Sequence, residues 1–261
     1  MTIFKHELWQ GRTAFVIWTG SIAFLLIICV FMFPEMKGEM DAVGEMFVSM
    51  GSFTAAFGMD RLNFGTLIGF YSIEGGNIMG LGGAVFASLM GVSVLFKEEK
   101  GRTAEFLLTH PISRTRVVTE KLAAVLAQIT LMNLILLGLP LLSMALIGEN
   151  IPWKEVLLMH GAYYLLQLEL AGICYGISAF LRLGGNGIGM GLAAMMYFLN
   201  LIANMTEHAR FLKYITPFGY CEGGDIISNG RLDTGLITVG MLFASAGVTM
   251  AYWRYSKKDI R

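Results

Sequence analysis

Six long runs almost empty of charge constrain this chain more than any other feature. Residues 14–33, 75–96, 122–147 and 183–206 hold no Asp, Glu, Lys or Arg. Residues 156–181 hold one acid, Glu169, and residues 232–253 hold Asp233 near their start. A bilayer core of ~30 Å is crossed by about 20 apolar helical residues, and a helix satisfies its own backbone polar groups there. Soluble proteins keep roughly a quarter of their residues charged. Here 15% are charged and 55% hydrophobic, with a mean hydropathy of +0.63. The chain reads as an all-α integral membrane protein, a single transmembrane domain over 1–261 with six transmembrane helices at those runs. Pro140 predicts a kink in the third. The first run is too long for a signal peptide, and Phe33-Pro34-Glu35 offers no small-residue cleavage site, so we expect it to be retained.

The rest of the composition mainly excludes. The formal net charge is zero, so no basic surface points to nucleic acid. Cys29, Cys174 and Cys221 form no CxxC pair and suggest neither a metal site nor a disulfide framework. His6, His110, His160 and His208 are dispersed, and HExxH, GxSxG and GxxxxGK[ST] motifs do not occur. No catalytic or metal centre is expected, and no nucleotide is expected on this chain through a P-loop. Met36, Met40, Met46, Met50 and Met59 recur between the first two runs; without Cys or His beside them, soft side chains packing a helix outweigh a Cu(I) site.

Lys and Arg set the orientation. Two lie in residues 1–13, six in 97–121, one at Arg182 and four in the tail, thirteen in all against six in the alternate loops. By the positive-inside rule the thirteen face the cytoplasm, which puts both ends there in the cell membrane. The 34–74 loop agrees, with Glu35, Glu39, Asp41, Glu45, Asp60 and Glu74 against Lys37 and Arg61.

The segments between the runs carry structure of their own. In residues 1–13, Phe4 and Leu8 lie one turn apart with Trp9 beside them, while Lys5, Glu7 and Arg12 lie off that stripe. This predicts a helix in the cytoplasmic interface, either an ordinary juxtamembrane helix or a link to a cytoplasmic partner. Residues 97–121 form the main internal cytoplasmic loop. Gly101, Ala104, Leu107 and Leu108 share a helical face, Thr109-His110-Pro111 breaks it, and Ser113 can cap the next helix. The apolar stretch 46–57 is too short to span. Residues 207–231, with Pro217 and several glycines, predict short helices dipping into the outer leaflet.

Within the membrane, Glu169 draws attention because a carboxylate there is expensive. Gln128 and Asn133 in the third run, and Asn200 and Asn204 in the fifth, are candidate partners across helices. Glu169, Asn133, Asn200 and Asn204 therefore either line a translocation path or serve as hydrogen-bonded packing. Gly80, Ala84 and Ser88, with Gly83, Ala87 and Gly91, form small-residue stripes on the second run. Gly185, Gly189 and Ala193, with Gly187 and Gly191, do so on the fifth. Such stripes let helices approach closely, within the chain or against a second subunit.

The stretch Glu98-Glu99-Lys100-Gly101-Arg102-Thr103-Ala104-Glu105-Phe106-Leu107-Leu108, followed by Pro111-Ile112-Ser113-Arg114 and Lys121, resembles the cytoplasmic coupling-helix signature of type-2 ABC exporter permeases. The family usually has an apolar residue where His110 stands. Residues 1–13, Tyr214-Ile215-Thr216-Pro217-Phe218, and the tail Trp253-Arg254-Tyr255-Ser256-Lys257-Lys258-Asp259 match in order. The resemblance implies an N-terminal interfacial helix and a coupling helix between helices 2 and 3, with Glu98, Glu99, Gly101, Arg102, Glu105, Phe106 and Leu107 meeting an ATPase. It implies two separate ABC ATPase subunits carrying ATP and Mg, a second permease subunit, and no cofactor on this chain. It also implies that helices 2 and 5 border the path of an amphipathic peptide, antibiotic or lipid-like cargo. Two other readings compete: a membrane scaffold or sensor in such a complex, and an ion-coupled carrier centred on Glu169.

Overall fold

The computed structural model describes residues 2–38, 51–59, 62–97, 112–181 and 184–257. Among these, all regular structure is helical. Helix α1 spans Thr2–Met36, α2 Ser52–Ala56, α3 Leu67–Ser93, α4 Arg114–Leu146, α5 Trp153–Ser178 and α6 Asn186–Met205. Two 3₁₀ segments, Glu207–Tyr214 and Pro217–Tyr220, precede α7 (Gly223–Asn229) and α8 (Thr234–Lys257). Helices α1, α3, α4, α5, α6 and α8 are long and apolar enough to cross a membrane, and they match the six expected runs. The short elements at 207–229 match the broken helices expected there.

Local chemistry fixes the helix starts. Thr66 caps α3, its hydroxyl accepting from the Gly69 amide at 3.2 Å. Helix α3 thus begins eight residues before the apolar run does. Ser113 caps α4, accepting from the Arg116 amide at 3.3 Å. Asp233 accepts from the amides of Gly235 and Leu236 at the start of α8. Helix α7 ends at Gly230, whose φ of 59° closes the left-handed turn that a side chain would strain.

Two helices outrun the bilayer. At 1.5 Å per residue, α1 and α4 are each roughly 50 Å long, well beyond a ~30 Å core. Residues 2–13, expected as a separate helix, run without a break into the first span. Helix α4 likewise continues through Pro140.

The interior is built around α3 and α5. Each has 61% of its apolar window buried, against 17% for α8. Three glycines of the α3 stripes face α5: Gly80 faces Tyr163, Gly83 faces Gln167, and Gly91 faces Ala171 and Cys174. On α6, Gly189 packs against Ser88 and Val92 of α3, whereas Gly187 and Gly191 meet nothing within 4 Å. Gly172 and Gly176 of α5 bring α8 to backbone contact at Ala244 and Gly247. Phe24, Leu134, Phe198 and Leu242 remain exposed, as residues facing hydrocarbon would.

Candidate functional site

Contacts sort the helix ends into two groups. At one end, Glu120 of α4 accepts from the backbone amides of Ile3 and Phe4 at 3.1 Å, standing in for a cap at the start of α1. Arg116 braces Glu120 at 2.9 Å. Arg114 donates to the carbonyls of Tyr255 and Ser256, and Thr119 bonds the Tyr252 hydroxyl at 2.8 Å. The Tyr175 hydroxyl donates to the Val118 carbonyl at 2.6 Å. Gly185 packs against Phe96. The N-terminal end of α1, both flanks of the 97–121 loop, the start of α6 and the end of α8 therefore share one end of the bundle. At the opposite end, Lys37 pairs with Glu149 at 2.6 Å.

A buried charge cluster sits at the first end. Glu7 is 3% exposed and Lys121 fully buried; their ion pair measures 2.7 Å. Lys97 pairs with the other Glu7 oxygen, and Lys121 also donates to the Val94 carbonyl at 2.8 Å. One acid on α1 thus holds residues on both sides of the loop. A charge removed from water costs several kcal/mol unless it is paired and hydrogen-bonded, and both conditions are met here. Sequence periodicity assigned Glu7 to the polar side of residues 1–13. The structure turns it inward, half-buries Phe4 and Leu8, and leaves Trp9 exposed with the Arg12 guanidinium 4.5 Å above its ring.

Glu169 is 1% exposed, and the Tyr220 hydroxyl donates to it at 3.0 Å. Gly240 of α8 faces the carboxylate and supplies the room that a side chain would fill. None of the expected partners reaches it. Asn133 donates to the Ile129 carbonyl and to Gln167 at 2.7 Å. Gln128 faces the Leu8 carbonyl. Asn200 and Asn204 donate to one oxygen of Glu222, at 2.5 and 2.7 Å. The helices bearing these residues pack so that the short 217–220 segment, rather than α4 or α6, meets Glu169.

The whole-chain comparison agrees with this architecture. A family model described as ABC-2 family transporter protein matches residues 1–260. The chain belongs to the ABC-2 transporter family. It is a multi-pass transmembrane permease component of an ABC transporter, a class whose membrane part works with an ABC ATPase and does transport rather than chemistry. Among curated proteins, none matches the chain.

In this ABC-2 permease, the residues expected to meet the ATPase (Glu98, Glu99, Gly101, Arg102, Glu105, Phe106 and Leu107) lie outside the described residues. The interfacial-helix residues Phe4, Leu8 and Trp9 lie at the end from which that loop leaves. Among the described residues, no group of three His, Cys, Asp or Glu could hold a metal ion. Sequence reasoning missed two acids, Glu7 and Glu222. For Glu222 a signal existed: Asn200 and Asn204 are one helical turn apart, so their amides can converge on a single acceptor.

Proposed function

We propose that this permease is the membrane-spanning subunit of an ATP-driven exporter for amphipathic peptide, antibiotic or lipid-like cargo. Two ATPase subunits carrying ATP and Mg dock on the end that holds the N-terminus, the 97–121 loop and the tail. By sequence, thirteen Lys and Arg fall in the segments that meet at or leave from that end, which supports a cytoplasmic placement for it and for both termini. Residues 2–13 carry the first span out of the bilayer, with Trp9 and Arg12 suited to the headgroup level. A second permease, identical or related, completes the membrane part, and the uncovered Gly187 and Gly191 of α6 suit that contact.

One observation carries the coupling: the buried Glu7–Lys97–Lys121 cluster ties the first helix to both flanks of the loop. ATP biases the membrane part only if its two conformations contact the ATPase differently. A helix formed by Glu98–Leu108, wedged in the ATPase and anchored through that cluster, transmits such a difference into α1, α3 and α4 together. Glu169, held by Tyr220 and apart from Asn133, Asn200 and Asn204, fits internal packing better than an ion relay.

The test is reconstitution with the cognate ATPase in sealed vesicles. Cargo movement should require ATP hydrolysis, which a scaffold would not do. Substitutions at Glu98, Gly101, Glu105 and Phe106 should uncouple hydrolysis or assembly while membrane insertion stays normal. Glu169→Gln should only modulate transport. Full coupled activity in the loop variants, or abolition by Glu169→Gln alone, would overturn the reading.

A further inference from the structure

At the end opposite the charge cluster, α3, α5, α6, residues 56–57 and the 217–223 segment line an open cavity of about 50 Å³. Its polar wall includes Ser72, Asn77, Tyr197, Asn200 and Glu222, and its apolar wall includes Tyr163 and Phe218. This is far too small for an amphipathic cargo, but it exceeds the ~10–15 Å³ needed by one water.

Asn200 is 5% exposed and spends its amide N–H on Glu222, leaving its carbonyl oxygen buried with no hydrogen-bond partner. The Asn77 carbonyl already accepts from the Tyr197 hydroxyl at 3.3 Å, and the Tyr163 hydroxyl is turned away onto the Cys221 carbonyl at 3.3 Å. What the cavity offers is one unpaired acceptor, the Asn200 carbonyl, beside a carboxylate whose Oε1 accepts from Asn200 and Asn204. Tyr197 and Phe218 meet edge to face with ring centroids 5.4 Å apart, adding an aromatic corner. Acceptors, an acid and π-faces together recognise a cation that carries N–H groups. A divalent metal ion would want six or more oxygen ligands. A quaternary ammonium has no proton for Asn200.

We propose that this cavity binds a primary ammonium group, donated to the Asn200 carbonyl and the Glu222 carboxylate and flanked by Tyr197 and Phe218. The nearest resident cation, Lys213, is held by Asp225 at 3.3 Å on the far side of Glu222, in a separate small recess. Burial pushes the Glu222 carboxyl above its usual range, and an ammonium neighbour would restore its charged form. The ammonium can belong to an aminophospholipid headgroup of the outer leaflet or to a free amine. The site stands whether or not the exporter reading does.

The experiment uses the purified full chain in detergent free of aminolipid. Thermal unfolding is followed against n-octylammonium, with octanol and octyltrimethylammonium as matched controls. Only n-octylammonium should raise the midpoint, and Glu222→Gln should weaken its apparent affinity roughly tenfold or more. Leu201→Phe, which narrows the cavity without touching these hydrogen bonds, should weaken it too and guards against a folding defect in the first variant. For the source, nanodiscs of phosphatidylethanolamine and of phosphatidylcholine are compared by native mass spectrometry. Retained phosphatidylethanolamine that Glu222→Gln releases assigns the site to lipid, and binding of n-octylammonium alone assigns it to a free amine. Equal stabilisation by all three amphiphiles, or n-octylammonium binding indifferent to both substitutions, would overturn the proposal.

Discussion

Replacing Glu7 by Gln keeps the side-chain volume and removes one charge from the cluster. Lys121 then stays fully buried with the Val94 carbonyl still accepting, but without its carboxylate 2.7 Å away. Lys97 is 24% exposed and can turn to water, so its loss is small. Breaking a buried pair by removing one partner costs about 3–5 kcal/mol, because the other charge is left uncompensated. Replacing both members by apolar residues of similar size is often neutral or stabilising. Glu7→Gln should therefore lower the unfolding free energy by about 3 kcal/mol, and the Glu7→Leu, Lys121→Met double variant should recover most of that loss. Arg116→Ala breaks an exposed pair one turn apart and should cost only about 0.3–0.5 kcal/mol, which calibrates the series. The assay is reversible unfolding in mixed micelles titrated with a denaturing detergent. A Glu7→Gln loss under about 1 kcal/mol, the range of a surface pair, would refute the burial argument. So would a double variant no better than the sum of its singles.

Three further outcomes follow from the packing. Gly176→Leu should separate α5 from α8, because even a Cβ at this position meets the Gly247 backbone at 2.6 Å; overpacking of this kind costs roughly 1–3 kcal/mol. Gly187→Leu, with open space around it, should leave monomer stability unchanged, and crosslinking will read whether it alters pairing of subunits. Tyr220→Phe leaves the Glu169 carboxyl without its hydroxyl donor and should cost about 1–3 kcal/mol in the same unfolding assay, with Glu169→Leu in that background restoring part of it. The Glu222 carboxyl is pushed up by burial, against the amides of Asn200 and Asn204 and the charge of Lys213, with Asp225 adding to the rise. The folded state thus holds this proton more tightly than the unfolded chain does. Its contribution to stability is full on the acid side and falls as pH rises from the ordinary carboxylate range through the raised value. Unfolding midpoints across that window should show this slope in the wild type and lose it in Glu222→Gln.

Hydropathy exposed the six spans because a bilayer demands long apolar runs wherever the chain crosses it. It placed the helix ends less well. The run near α3 starts at residue 75, yet the Thr66 cap begins the helix at Leu67, and exposed Glu74 lies within it. Helices α1 and α4 extend into water, where no apolar run records them. Side-chain partners were less legible still. A polar residue in a span announces that it needs a partner, but which one depends on which helices adjoin. Asn200 and Asn204 turned to Glu222 because α6 packs beside the 217–223 segment. Glu7 read as solvent-facing because the stripe of residues 1–13 was judged without Lys97 and Lys121, which approach from beyond the end of α3 and from α4.

The arrangement of fixed points decides how a push at the 97–121 loop can travel. Helices α1 and α4 are joined at one end by Glu7–Lys121 and by Glu120 with the first amides of α1, and at the other by Lys37–Glu149. Two helices tied at both ends resist sliding and move as a pair. The start of α4 also holds α5 through Tyr175 and α8 through Tyr252, Tyr255 and Ser256. Among the described residues, helix α6 makes no hydrogen bond to the other helices at the loop's end, where Gly185 only packs against Phe96; its other contacts are with α3, through Gly189, and with the opposite end, where Thr216 donates to the Met196 carbonyl at 2.7 Å and Glu222 gathers Asn200 and Asn204. On the proposed coupling, a displacement entering through the loop is therefore shared by α1, α3, α4, α5 and α8, while α6 is left to respond through its contacts with α3 and with the 217–223 segment. On the proposed coupling, the α3–α6 seam, bordered by the Glu222 cavity at the end opposite the loop, is the boundary across which the two groups of helices would shift.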